Sequence, residues 1–215
     1  SWASLSKGIE MSASQNKVVQ YFFAPHSPWT YLGHARLMAI AAKTGAQIDV
    51  RPFDLGKVFS VSGGLPLAKR APQRQAYRLA ELARWSAFLQ VPLTLQPKFF
   101  PVSPEASAKL IIATRLAHGV EASLNLAHAI MRGLWAEERN IGDEETLVQI
   151  AVDAGFEGRQ LLKTSETASV QAEYDANTDA ATAASVFGSP WYIVDGEGFW
   201  GQDRLDFVER ALETL

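Results

Sequence analysis

A serine and a proline, Ser27-Pro28, follow a run of apolar residues and precede a helical pattern. Serine caps a helix, and proline fits its first position. At a helix start, backbone N–H groups and the macrodipole favour negative charge. A hydroxyl there can donate to a thiolate, which lowers the thiol's pKa and raises its anion fraction near neutral pH. Taken alone, the dipeptide reads as a cap. The chain has no cysteine, so any thiol acting here must come from outside. The same absence excludes disulfide scaffolds, thiolate-zinc sites and catalysis by a thiol of the protein's own.

Two distant segments could complete such a site. Gly188-Ser189-Pro190-Trp191 puts a proline first in a strand, where its missing N–H is tolerated. The bond before proline is commonly trans; a cis bond would turn the preceding backbone outward, toward a bound peptide. In Trp200-Gly201-Gln202-Asp203-Arg204, Asp203 reads as a helix cap or as a partner for an ammonium group. Arg204 could pair with a carboxylate. Trp29 and Trp200 flank the candidate site and could face an aromatic substrate.

Other chemistries find little support. The histidines at 26, 34, 118 and 128 have no metal-binding spacing, so no metal is expected. His26 adjoins Ser27, yet no carboxylate is evident to orient it in a Ser-His-acid triad. His118 and His128 read as packed or surface residues. No G-x-S-x-G, P-loop or G-x-G-x-x-G is present. A net charge of −3 gives no broad case for nucleic acid. No apolar run reaches the length of a membrane helix.

These residues need elements to hold them. Val18–Ala24 reads as a buried strand, residues 28–43 as a helix stopped by Gly45, and Ala46–Asp54 as a second strand. This β-α-β unit implies parallel neighbours. A Gly/Pro-rich loop, Gly56–Pro72, leads to helical patterns over 73–90, 104–118, 121–138, 143–155 and 157–186. Strand character returns in Pro190–Asp195 and Phe199–Gly201, joined by a turn at Gly196-Glu197-Gly198, and Asp203 would cap a last helix over 204–215. The order is β-α-β, a helical block, then β-β-α. This is the plan of an α/β thioredoxin-like domain, residues 17–56 and 187–215, with a large all-helical insertion at 57–186. Residues 1–16 read as a disordered leader, with Met11 as the native start.

FFAPHSPWTYL, RPFDLGKVF and VFGSPWYIVDGEGFWGQDRL, taken together, resemble the 2-hydroxychromene-2-carboxylate isomerases and kappa-class glutathione transferases, relatives of DsbA. The resemblance spans residues 17–215, and the FG-x-P…GQDRL ending is its most specific part. It implies a homodimer that binds glutathione and a small aromatic or electrophilic substrate, while the lack of disulfides fits a cytoplasmic location. Ser27 would be the catalytic serine that hydrogen-bonds the glutathione sulfur. Ser189 would pair through its backbone with the cysteinyl unit beside a cis Pro190. Gln202 and Asp203 would hold the γ-glutamyl group. In the isomerases, reversible thiolate addition, ring opening, rotation and elimination are implied, with glutathione not consumed.

The chain departs from the family pattern on the substrate side. Members commonly have S/T-G-N-x-P where Ser62-Gly63-Gly64-Leu65-Pro66 stands, so Gly64 replaces an Asn. Arg74 replaces a Lys three residues before Tyr77. Ala24 replaces an Asp, and Pro25-His26 an apolar pair. His26, Trp29, Gly64, Arg74 and Trp200 therefore form the expected substrate pocket. A glutathione-dependent isomerase leads; a conjugating transferase and a non-catalytic peptide-binding module are the alternatives. A self-contained thiol-disulfide oxidoreductase is excluded, because no cysteine exists to cycle.

Overall fold

The computed structural model describes residues 17–213; the expected leader lies outside them. β1 (Val18–Phe23) has both faces covered: Val19, Tyr21 and Phe23 enter one buried cluster and Phe22 another. That double burial is why its sequence is a continuous apolar run, with Gln20 the one strongly polar residue. α1 (Pro28–Thr44) crosses to β2 (Gln47–Pro52), which runs parallel to β1 with Val19 opposite Ile48. Gly45, at φ 72°, ends α1 in the left-handed conformation.

The segment 56–72 is not all loop, as its Gly and Pro content suggests. It contains most of α2 (Leu55–Ser62) and a 3₁₀ turn, Leu67–Lys69. Asp54 nucleates α2 by accepting the Lys57 N–H at 3.0 Å, and burial of Val58 anchors it. α3 (Pro72–Leu89), α4 (Glu105–His118), α5 (Val120–Ala136) and α6 (Glu144–Asp153) fall within two residues of expectation. The pattern over 157–186 is two helices, α7 (Gly158–Ser165) and α8 (Ala168–Ala183). Thr167 divides them, because its Oγ1 accepts the Val170 N–H and starts a new helix.

β3 (Trp191–Val194) and β4 (Glu197–Trp200) form the closing hairpin. Its turn is Asp195-Gly196, one residue earlier and shorter than expected. Both residues have positive φ, 49° and 79°, as a two-residue type I′ turn demands. Glu197 and Gly198 are therefore strand residues. Asp203 does not cap the last helix. It lies within a 3₁₀ turn, Gln202–Arg204, that has no side-chain cap, and α9 (Leu205–Glu213) follows. Gly201 at φ 99° feeds the chain into this turn and delays the helix.

The sheet order is β2-β1-β3-β4, with β1 antiparallel to β3. The two ends of the chain thus share one sheet, and the fold is thioredoxin-like with a helical insertion. The largest buried cluster joins Tyr21 of β1, Leu37 of α1, Leu126 and Trp135 of α5, and Val208 of α9. His34 ties three layers together. Its Nε2 donates to the Leu124 carbonyl of α5 at 2.9 Å, which leaves Nδ1 to accept the Tyr21 hydroxyl at 2.9 Å. Burial holds the His34 pKa at about 4, so the ring is neutral.

Candidate active site

Ser27 sits at the N-cap of α1 with extended backbone, φ −77° and ψ 122°. Its Oγ accepts the Thr30 N–H at 3.2 Å and donates to the Ser189 carbonyl at 3.2 Å. Capping occupies a lone pair, whereas donation occupies the proton. The two roles expected as rivals are compatible in one hydroxyl.

The second segment meets the first directly. The Ser189-Pro190 bond is cis. Ser189 Oγ accepts the Ala24 N–H at 2.9 Å and lies 2.8 Å from Thr30 Oγ1. Ser27 and Ser189 are both buried, 7% and 8% exposed. The third segment joins through Gly201, whose N–H donates to the Pro190 carbonyl at 3.0 Å. Residues 24, 27, 30, 189, 190 and 201 therefore form one hydrogen-bonded unit that joins the end of β1, the start of α1, the entry to β3 and the exit from β4.

Gln202 and Asp203 differ in situation. Gln202 is buried, its side chain against Gly33 of α1, and its Oε1 has no hydrogen-bond partner. Asp203 is exposed, and no ion pair among the described residues engages it. Gly201 gives it room: a Cβ there would come within 2.5 Å of the Asp203 carboxylate.

The expected pocket residues divide as well. His26 is largely enclosed, with Nδ1 buried and unpartnered. Desolvation lowers its pKa to about 4, against a small opposing pull from Asp54. It makes no hydrogen bond to Ser27, so there is no Ser-His dyad. Trp29 is half-buried. Trp200 is 53% exposed and packs edge-on to Phe187 at 5.0 Å. Its ring covers Gly188, just before Ser189, where a Cβ would run into the indole. No hydrogen bond or ion pair links Gly64 or Arg74 to the Ser27 unit. Gly64 lies under the Phe59 ring, which occupies the space a larger side chain would need. Arg74 is exposed on α3.

Sequence reasoning missed Thr30, which bonds both serines through different atoms. Its place three residues after a capping serine was the available signal. It also missed Phe100, whose peptide bond to Pro101 is cis. The Phe100 ring lies 6.5 Å from that of His26.

A sheet of this topology, a helix starting behind β1 and a cis proline facing that helix define a DsbA-like thioredoxin domain. The family model for the DSBA-like thioredoxin domain matches residues 18–213, and the chain belongs to that family. It is similar to a 2-hydroxychromene-2-carboxylate isomerase of Sphingobium xenophagum, 29% identical, over 91% of this chain and 98% of that protein. It is also similar to glutathione S-transferase kappa 2 of Caenorhabditis elegans, 27% identical, over 89% of this chain and 90% of the relative. A solved 2-hydroxychromene-2-carboxylate isomerase superposes with a TM-score of 0.79 at 23% identity, over 91% of this chain and 94% of that one. Among the described residues no helix is long and apolar enough to cross a membrane.

Proposed function

We propose that this chain is a glutathione-dependent isomerase acting on 2-hydroxychromene-2-carboxylate or a related intermediate of aromatic breakdown. One observation carries the reading. In a chain with no cysteine, the Ser27 hydroxyl stands at a helix N-terminus, bonded to the carbonyl before a cis proline. The relatives named above support it from a second direction.

The residues present suit glutathione. Asp203 is exposed and makes no ion pair among the described residues, which suits it to hold an α-ammonium. Gln202, the preceding residue, has a buried Oε1 without a hydrogen-bond partner, and the Ser189 carbonyl is a backbone acceptor. Bound glutathione would supply the thiolate that adds reversibly to the conjugated substrate and leaves after ring opening and rotation. Ser189 would pair with its cysteinyl unit by strand-like hydrogen bonds. A ligand N–H arriving at the Ser189 carbonyl competes for the acceptor that Ser27 now uses. The Ser27 proton is then available to the sulfur, while its lone pair keeps the Thr30 N–H. Trp29 and Trp200 offer apolar surface to an aromatic substrate.

The kappa-class relative favours a second reading, a transferase that conjugates electrophiles. Thiol titration during turnover separates the two. An isomerase converts substrate with total thiol unchanged, and a transferase depletes it. Calorimetry with millimolar glutathione tests both, since no binding leaves only a non-catalytic peptide-binding module. A homodimer in the cytoplasm completes the proposal; the cysteine-free chain suits a reducing compartment.

A further inference from the structure

Arg78 of α3 is half-buried, and its guanidinium carbon lies 5.5 Å over the Phe100 ring. The same ring faces His26, the residue before Ser27. Phe100 thus links a cation on the insertion to the turn that carries the serine. Packing on Trp135, 4.9 Å between ring centres, fixes this ring.

No ion pair among the described residues includes Arg78. Glu81, three residues on, is held instead by Arg84 and by the Tyr77 hydroxyl. Other nearby charge is positive. Arg70 is half-buried and gives its Nε to the Leu65 carbonyl; burial first, and then the Arg70 charge, lowers the Arg78 pKa to about 10. That leaves Arg78 a cation at neutral pH. His26, its ring 6.5 Å from that of Phe100, is neutral with an unpartnered Nδ1. A partly desolvated cation without a counter-charge is costly, and a ligand anion would offset that cost.

We propose that Arg78 is a specificity-determining residue that binds the carboxylate of an aryl oxo-acid substrate, with Phe100 against its aromatic portion. The guanidinium fork suits a carboxylate in two-point contact. The placement rests on the reading of Ser27 as the thiolate site, but carboxylate recognition is measurable without glutathione.

The probe is phenylpyruvate, with its methyl ester as the neutral control, titrated against the full chain by intrinsic fluorescence. Wild type is expected to bind the acid at least roughly 10-fold more tightly than the ester. Arg78→Gln should weaken acid binding by roughly 10–100-fold and leave the ester unchanged, and Arg78→Lys should recover part of the loss. Glutathione affinity, followed by calorimetry, should be unaffected. Equal binding of acid and ester by wild type would overturn the proposal. So would an equal loss for both in Arg78→Gln, which marks a packing role. A loss confined to glutathione would also overturn it, because Arg78 would then serve that ligand. Selective acid binding in a protein that ignores glutathione would keep this inference and reject the Ser27 reading.

Discussion

Ser27 carries two separable burdens, and one substitution exposes both. Ser27→Ala removes together the acceptor for the Thr30 N–H and the donor to the Ser189 carbonyl, the proton that the proposed function gives to sulfur. Stability should fall by about 1 kcal/mol through the lost cap. Transition-state stabilisation should fall by roughly 1–3 kcal/mol, read from kcat/KM. A lower melting temperature with unchanged turnover would leave only the capping role. Gly64 poses a second residue-scale question. An Asn at this position cannot simply be accommodated, because Phe59 covers the site. Gly64→Asn alone should cost roughly 1–3 kcal/mol in denaturant unfolding. Paired with Phe59→Ala, much of that cost should disappear, and the double-mutant cycle measures the coupling.

At the scale of elements, the site is built where three chain segments are pinned to one another. Gly201 is the sharpest pin. Its N–H holds the Pro190 carbonyl, its φ is 99°, and the Asp203 carboxylate crowds the place a Cβ would take. Gly201→Ala should destabilise the fold by about 1–3 kcal/mol and weaken glutathione binding as well, since it displaces Asp203. An unchanged melting temperature would show that the turn tolerates the side chain. α9 behind this turn is held to α1 by Arg36–Asp206 and by Lys43–Glu209 at 2.7 Å. These pairs are solvent-exposed, so they contribute little energy and serve mainly to set direction.

At the scale of the molecule, two desolvated imidazoles link stability to pH. His26 and His34 have pKa values near 4 in the folded protein, below the ordinary 6.5, because burial disfavours the charged ring. Between those values the unfolded chain binds protons that the folded one does not. Stability from this source is therefore complete above pH 6.5, declines as pH falls, and levels off near 4. Each ring accounts for up to about 3 kcal/mol by pH 4. Urea midpoints measured from pH 7 to 4 should fall accordingly, and His34→Gln should flatten the slope while lowering the whole curve. The proposed homodimer is a separate matter. α3 buries only Leu82, while Tyr77 and Phe88 are 64% and 76% exposed. Phe88→Glu should shift sedimentation toward monomer, and a wild type monomeric at every concentration would reject the dimer.

The sequence by itself determined the elements whose cause is local. The apolar run of β1, the Ser27-Pro28 start and Gly45 stop of α1, and the helices from α3 to α6 follow from burial period, capping and left-handed glycine. Absence of cysteine settled that any thiol must be borrowed. Local signals were also present at Asp54, Thr167 and Asp195-Gly196, where capping side chains and an Asp-Gly turn set boundaries that composition had blurred. Tertiary structure decided the rest. Only the sheet pairing of β1 with β3 brings Ser189 to Ser27, 162 positions away. Only that contact shows the serine proton held by a carbonyl while the same oxygen caps a helix. Likewise no spacing along the chain could pair Arg78 with Phe100 and His26. Such contacts depend on how a helical insertion packs across a sheet, and that is fixed by the whole core rather than by any neighbouring residue.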